Sequence, residues 1–122
     1  MMSSKTSKIV EVVHPVVVQP LLDEAGAEAL TALYKVLANP HRLRLLHALA
    51  RAGELPVTLL AEQVEMSIQA VSNQLKQLTD QRILANRRQG NQAFYRIIDP
   101  CVGGLLDLGM CLVEETRKNR PA

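Results

Sequence analysis

Apolar residues recur at steps of three and four from residue 21 to residue 80, which is the spacing of amphipathic helices. Two helix starts carry recognisable signals, because Asn39-Pro40 supplies a cap followed by a first-turn proline, and Ser67 can cap the next helix. In the second helix we expect Leu43, Leu46 and Ala50 to face inward. The predicted helices run from Leu21 or Asp23 to Ala38, from Pro40 to near Gly53, over a short segment from Pro56 to Val64, and from Ile68 to about Asp80.

Beyond residue 80 the apolar spacing changes from about 3.6 residues to two, which is the period of a strand. Ile83–Arg88 and Gln92–Ile98 are therefore predicted to be two short strands. Gln89-Gly90-Asn91 between them is a turn signal, so the strands should form a hairpin with Arg87 and Arg88 beside its tip.

A final helix is predicted from Pro100 to about Lys118, because Asp99-Pro100 repeats the cap and proline pattern. Cys101–Val113 is apolar nearly all round, and one small domain cannot cover such a helix on every side. Burial of the free face against a second copy is the common solution. We therefore expect a homodimer formed through the first and last helices. The residues expected in its interface are Leu105, Leu106, Leu108 and Leu112.

The fourth helix has two chemically different sides. Its apolar stripe consists of Ile68, Val71, Leu75 and Leu78, and its opposite stripe of Gln69, Ser72, Asn73 and Lys76. The apolar stripe should pack on the domain, while amide side chains can bond base edges and a lysine can reach phosphate. A short helix, a turn through Glu65 and Met66, and this helix fit a helix-turn-helix whose second helix enters the major groove. A solvated face that lacks acids by chance is the alternative.

The following hairpin makes this motif a winged one, so the fold class is mainly α (α+β), a winged helix-turn-helix. From residue 73 to residue 96 there are five basic residues and a single acid, Asp80, although the whole chain carries a net charge of only +2. Such segregation indicates a face that can meet phosphates of double-stranded DNA. The predicted DNA contacts are Ser67, Gln69, Ser72, Asn73, Lys76, Arg87, Arg88 and Asn91.

Composition limits the other possibilities. The chain has 122 residues, of which 48% are apolar, so a single folded domain is expected. With three aromatic residues, recognition by base stacking is disfavoured. No catalytic spacing or phosphate loop is present, so the chain is not expected to be an enzyme. Without a signal peptide or a long apolar run, we expect a cytoplasmic protein with no membrane contact. The expected organisation is a flexible arm (1–20), the winged domain with its dimerisation helix (21–118) and a tail (119–122).

Leu37-Ala38-Asn39-Pro40-His41-Arg42-Leu43-Arg44-Leu45-Leu46 resembles the LaDPtRlrIL signature of the ArsR/SmtB family of metal-responsive repressors. Residues 55–61 and 69–75 look like that family's helix pair, and residues 83–97 match its wing, so that the resemblance covers about residues 28 to 116. It implies a winged-helix homodimer that binds operator DNA and usually releases it when an inducer binds. Ser72 and Asn73 fall on the family's DNA-reading positions, whereas Gln74 stands where the family has His.

The metal sites of that family are incomplete in this sequence. Its Cys-x-Cys segment corresponds to residues 55–59, which hold no cysteine, and its later ligand pair falls on Leu112 and Glu115. Leucine cannot ligate a metal, so the usual four-ligand zinc set is broken. Asp99-Pro100-Cys101 matches the family's Asp-x-His with Cys in place of His.

Cys101 and Cys111 are ten residues apart on the last helix, which separates them by ~15 Å along its axis and rules out a disulfide within the helix. If two such helices pack antiparallel near Leu106, Cys101 lies level with the partner's Cys111. Such a two-thiol site can serve a soft metal ion, an arsenical, or disulfide or persulfide chemistry. One alternative is that both cysteines serve only as small apolar residues and the repressor has no inducer on this helix. The other is that the winged helix binds a protein instead of DNA.

Overall fold

The computed structural model describes residues 19–119. Residues 20–99 form one compact unit, and the other described residues belong to a second. The elements are α1 (Glu24–Leu37), α2 (Pro40–Ala52), β1 (Leu55–Pro56), α3 (Val57–Val64), α4 (Ile68–Asp80), β2 (Leu84–Gln89), β3 (Gln92–Ile97) and α5 (Cys101–Asn119). The predicted winged helix-turn-helix order is confirmed, with one additional strand. Most of the expected N-terminal arm (residues 1–18) and the end of the expected tail (residues 120–122) lie outside the described residues.

Side-chain caps fix where the helices begin. The Asn39 carboxamide oxygen accepts hydrogen bonds from the backbone N–H groups of His41 (2.9 Å) and Arg42 (3.1 Å) at the start of α2. The Ser67 hydroxyl oxygen accepts one from the N–H of Ala70 (3.1 Å) at the start of α4. Each such cap stabilises a helix by about 1 kcal/mol, because it satisfies backbone donors that have no partner within the helix. Both predicted helix starts are confirmed.

The core of the first unit lies between α2, α3, α4 and the sheet. Its most fully buried side chains are Leu45, Leu46, Leu49, Leu60, Val71, Leu75, Leu78 and Leu84. The expectation that Leu43 and Ala50 face inward from α2 is wrong, because both are exposed. Leu45 and Leu49 take the inward positions instead. With Leu46 they bury three leucines rather than two leucines and an alanine, and removing more apolar area from water stabilises the fold more.

A third strand joins the predicted hairpin. Leu55 pairs with Tyr95 and Pro56 with Phe94, so that β1 runs antiparallel to β3 and the strand order is β1-β3-β2. A proline is compatible with this place because β1 is an edge strand, where a missing N–H breaks no ladder. Since β1 leads directly into α3, the pairing attaches the middle of β3 to the start of the helix-turn-helix.

Two tight turns set the geometry around α4. Glu65 has φ 57° and ψ 47°, and this left-handed residue ends α3 and reverses the chain toward Ser67. Its conformation costs about 1 kcal/mol for a residue with a Cβ, but the next N–H, of Met66, bonds the carbonyl of Ala61 (3.1 Å). The hairpin closes with a two-residue loop in which Gly90 has φ 64°, so the predicted turns are confirmed.

The second unit contains α5, whose first hydrogen bond runs from the N–H of Gly104 to the carbonyl of Pro100 (3.2 Å). The C-terminal half of this helix presents apolar residues to solvent, with Leu112 67% exposed. Among residues 19–119, no helix combines the length and the hydropathy that crossing a membrane requires.

Candidate nucleic-acid interface

The two sides of α4 differ as sharply in burial as in chemistry. Val71, Leu75 and Leu78 are fully buried in the core. Of the opposite stripe, Gln69, Asn73 and Lys76 are exposed, and Ser72 is half-buried. The interior packing therefore fixes the rotation of the helix and holds its amide-bearing side toward solvent. Ile68 is an exception to the predicted stripe, because it is 52% exposed and the expectation that it packs inward is wrong.

A hydrogen bond orients the two amide groups of this surface. The Gln69 side-chain nitrogen donates to the Asn73 carboxamide oxygen over 3.2 Å, one helical turn away. The hydrogen bond restricts the rotamers of both side chains, so fewer conformations of Gln69 and Asn73 remain to be ordered when a base edge binds. Restricting them before binding lowers the entropic cost of recognition.

The start of α4 favours anions. Its first turn holds no acidic residue, although acids are usually favoured there, and its backbone N–H groups give that end a partial positive charge. The Ser67 hydroxyl oxygen accepts the capping hydrogen bond, which leaves the hydroxyl hydrogen available to donate to another group. This end of the helix suits the approach of a phosphate backbone.

Arg42 of α2 holds α4 in place through hydrogen bonds to its side chains. Its guanidinium donates to the Gln74 amide oxygen from Nε (2.7 Å), to the carbonyl of Val36 from Nη1 (2.8 Å), and to the Gln77 amide oxygen from Nη2. One side chain of α2 thus joins the end of α1 to two positions on α4. Gln74, which stands at the family's His position, is turned toward Arg42.

Sequence reasoning missed Arg42 as a functional residue. Its partners on α4 lie 32 and 35 residues further along the chain, and no local pattern reports a contact at that distance. A second arginine of α2 acts similarly at the turn, where Arg44 donates to the carbonyl of Val64 (3.0 Å) at the end of α3. A cation there satisfies a terminal carbonyl of the helix.

The two arginines of the hairpin lie in different surroundings. Arg87 makes a bidentate ion pair with Glu54, with Nε–Oε2 at 2.9 Å and Nη2–Oε1 at 2.8 Å. Its guanidinium carbon also lies 4.7 Å from the ring centroid of Phe94, and Nη1 donates to the Gln89 amide oxygen (2.7 Å). Arg88 is exposed, and as the next residue of β2 it points to the opposite side of the strand.

The ion pair alters the acidity of both partners. Hydrogen bonding from Arg87 lowers the pKa of the Glu54 carboxyl below its ordinary value, and the same hydrogen bond raises the pKa of Arg87. Both groups are therefore charged at neutral pH and neutralise one another. The net positive charge of the hairpin that faces solvent is carried by Arg88 and Arg96, which are both exposed, while Asn91 in the loop is an exposed amide.

The cysteines and leucines singled out in the last helix all lie on α5. Cys101 and Cys111 are both exposed, as are Leu108 and Leu112, whereas Leu105 and Leu106 are half-buried. Within residues 19–119 no group of three or more His, Cys, Asp or Glu side chains is placed to hold a metal ion. A metal-binding site made by one protomer alone is therefore not found in the part of the chain that the structure describes.

Comparison with known proteins places this surface in context. A family model described as a helix-turn-helix domain matches residues 37–87. The chain is 41% identical over 88 residues to the HTH-type transcriptional regulator NmtR of Mycobacterium tuberculosis, covering 72% of each protein.

Two solved structures extend the likeness to the fold. The AntR antimony-specific transcriptional repressor is 53% identical, with a TM-score of 0.76, over 88% of this chain and 97% of that one. A homodimeric winged helix-turn-helix DNA-binding domain from Mycobacterium bovis, a possible ArsR-family regulator, is 28% identical with a TM-score of 0.69. The similarity to it covers 86% of this chain and 96% of that one.

Proposed function

This chain belongs to the ArsR/SmtB family of winged helix-turn-helix regulators, and from this premise we propose that it is a dimeric repressor that binds operator DNA sequence-specifically and is released by a thiol-binding inducer. The observation that carries the proposal is the orientation of α4. Its buried leucines hold an acid-free stripe of amides, a hydroxyl and a lysine toward solvent at the second helix of a helix-turn-helix.

The proposed DNA surface divides into two kinds of contact. Gln69, Ser72 and Asn73 read base edges in the major groove, where side-chain amides bond adenine and hydroxyls bond several bases. The remaining predicted contacts, Ser67, Lys76, Arg87, Arg88 and Asn91, position the protein on phosphates. Arg87 reaches DNA by exchanging the carboxylate of Glu54 for a phosphate.

The dimer is proposed from surfaces that a monomer leaves in water. On α1, Leu30, Leu33 and Tyr34 are each more than a third exposed, and the same holds on α5 for Leu108 and Leu112. Joining two copies through these helices removes this area from water and sets two α4 helices about one DNA turn apart, ~34 Å. The operator is then an inverted repeat.

The inducer is proposed to bind two thiols of different protomers. Two α5 helices packed antiparallel about an axis near Leu106 bring Cys101 level with the partner's Cys111. Thiolates select soft ions, and trivalent antimony is the first to test because the similar repressor AntR is antimony-specific. Leu105 and Leu106 lie between the cysteines along the helix and form the apolar part of that interface.

Binding to a duplex from the protein's own promoter tests the DNA part. We expect affinity to fall steeply with salt, and Asn73→Ala and Gln69→Ala each to weaken specific binding by about 1–3 kcal/mol. Gln63→Ala is the matched control, because Gln63 is an exposed glutamine of α3 outside the stripe, and it should bind as the wild type does. Equal binding by all four proteins would show that the reading surface is wrongly assigned.

Titration of the preformed complex tests the inducer. Antimonyl tartrate, arsenite, Cd(II), Zn(II) and a polysulfide are added in turn to the wild type, Cys101→Ser and Cys111→Ser. We expect one thiophilic agent to release the wild type, and each single variant to stay bound, because a two-thiol site fails when either thiol is lost. If none of the agents releases the wild type, the repressor has no inducer at α5 and the DNA-binding proposal stands alone.

A further inference from the structure

Ile68 is an apolar side chain at the N-terminal end of the polar surface of α4. It is the first residue of α4, directly after the Ser67 cap, and 52% of it is exposed. The interior side of α4 is already filled by Val71, Leu75 and Leu78, each fully buried. A polar residue would suit a solvated first turn better, since half an isoleucine left in water forgoes the benefit of burial.

The position of Ile68 on the helix links it to the amide stripe. Four residues advance an α-helix by about 40° beyond one full turn, so Ile68 lies one turn before Ser72 at the border of that stripe. Gln69 turns its amide toward Asn73, which lies further along the helix. The N-terminal end of this exposed surface is therefore formed by Ile68 and the Ser67 hydroxyl.

We propose that Ile68 recognises thymine, by packing its side chain against the C5-methyl group of one thymine in each operator half-site. The inference rests on the proposed function, since it requires α4 to enter the major groove. The N-terminal residues of a recognition helix approach the bases, and the thymine methyl is the apolar feature of the major-groove edge. Contact between two apolar groups removes both from water and needs no hydrogen-bond partner, which fits a side chain without polar atoms.

Replacing single thymines by deoxyuridine in the promoter duplex removes the methyl group and leaves the hydrogen-bonding edge unchanged. For the wild type we expect one thymine per half-site at which the replacement weakens binding by about fourfold, and by about fifteenfold when both half-sites are changed. Ile68→Ala should bind the thymine and deoxyuridine duplexes equally. Ile68→Val, which keeps a branched apolar surface, should retain part of the difference.

Leu59→Ala is the matched control, because Leu59 is 44% exposed but belongs to α3. It should show the same dependence on the thymine methyl as the wild type. Thermal unfolding of Ile68→Ala should change little, so that a loss of discrimination is not a loss of fold. A wild type that binds the duplex but ignores every thymine methyl overturns this inference alone, as does an Ile68→Ala variant as sensitive as the wild type. A wild type that binds no duplex overturns both this inference and the proposed function.

Discussion

The helix that carries the proposed DNA surface, α4, and the last helix, α5, differ in where their apolar residues lie. In α4 the leucines and valine are fully buried, and the exposed side is mostly polar. In α5 most of the apolar residues from Leu108 to Val113 are exposed. The apolar side of α4 is therefore covered within one chain, whereas α5 carries an exposed apolar surface of the kind that marks an interaction site. In the proposed function, recognition of DNA and recognition of a second copy thus use different helices.

The largest effect is expected when a charge is placed on the exposed side of α5. Leu112→Lys puts an ammonium group into the proposed dimer interface, where burying an unpaired charge is strongly unfavourable. We expect monomers by sedimentation and roughly 10²–10⁴-fold weaker operator binding, because the two half-sites are no longer linked. Leu59→Lys, the same substitution at an exposed leucine of α3, should stay dimeric. Wild-type protein that sediments as a monomer at micromolar concentration would contradict the dimer.

Truncating a buried side chain of α4 tests whether its apolar side stabilises the fold separately from its polar side. Leu75→Ala creates a cavity at a fully buried position, and we expect it to lower the free energy of unfolding by about 2–5 kcal/mol. The neighbouring change Lys76→Ala should leave stability within about 0.5 kcal/mol and reduce the salt dependence of DNA binding by about one ion. Chemical unfolding and salt titration measure the two effects. If Lys76→Ala destabilised the fold as much as Leu75→Ala, the two sides of α4 would not be separate.

Arg42→Lys should loosen the attachment of α4 without creating a cavity in the core. A lysine cannot reproduce three directed bonds to Gln74, Gln77 and the carbonyl of Val36, because its donors lie on a single atom. We expect operator affinity to fall by about 1–3 kcal/mol. Arg51→Lys, at an exposed arginine in the last turn of α2, is the control. Unchanged affinity in Arg42→Lys would mean that the packing of α4 alone sets its position.

The smallest effect is expected in the hairpin. Glu54→Gln removes the carboxylate that neutralises Arg87, so the guanidinium becomes available to phosphate. We expect tighter DNA binding, because Arg87 no longer has to leave an ion pair to bind phosphate, and a salt dependence increased by about one ion, because no freed carboxylate takes up a cation on binding. Glu62→Gln, at an exposed acid of α3, controls for the general loss of a negative charge. A salt dependence that does not change in Glu54→Gln would show that Arg87 stays on the protein when DNA binds.

Local signals in the sequence were enough to predict most of the fold. The cap at Asn39, the cap at Ser67 and the loop at Gly90 each act within four residues, and all three were found where predicted. The strand Leu55–Pro56 could not be predicted, because two residues are too few to show alternation and its partner lies some forty residues away. The rotation of α2 was also misjudged, since its leucines fit two neighbouring stripes and only the assembled core chooses between them.

The site was predicted less completely than the fold. The exposed amides of α4 follow from periodicity, because a helix that buries Leu75 must present Asn73 and Lys76 elsewhere. The ties of Arg42 to Gln74 and of Arg87 to Glu54 join residues more than thirty positions apart, and periodicity carries no information on such pairs. Ile68 was placed inside because hydrophobicity alone does not reveal where a stripe ends.

The short pairing of β1 with β3 has a mechanical consequence. Glu54, directly before β1, binds the hairpin through its ion pair with Arg87, and directly after β1 comes α3, which leads into α4. The hairpin and the helix-turn-helix are therefore connected at both ends of this two-residue strand. They should travel as a single rigid body. Any signal that loosens the repressor from its operator is therefore expected to displace one whole protomer against the other, and not to bend the hairpin away from the helix it accompanies.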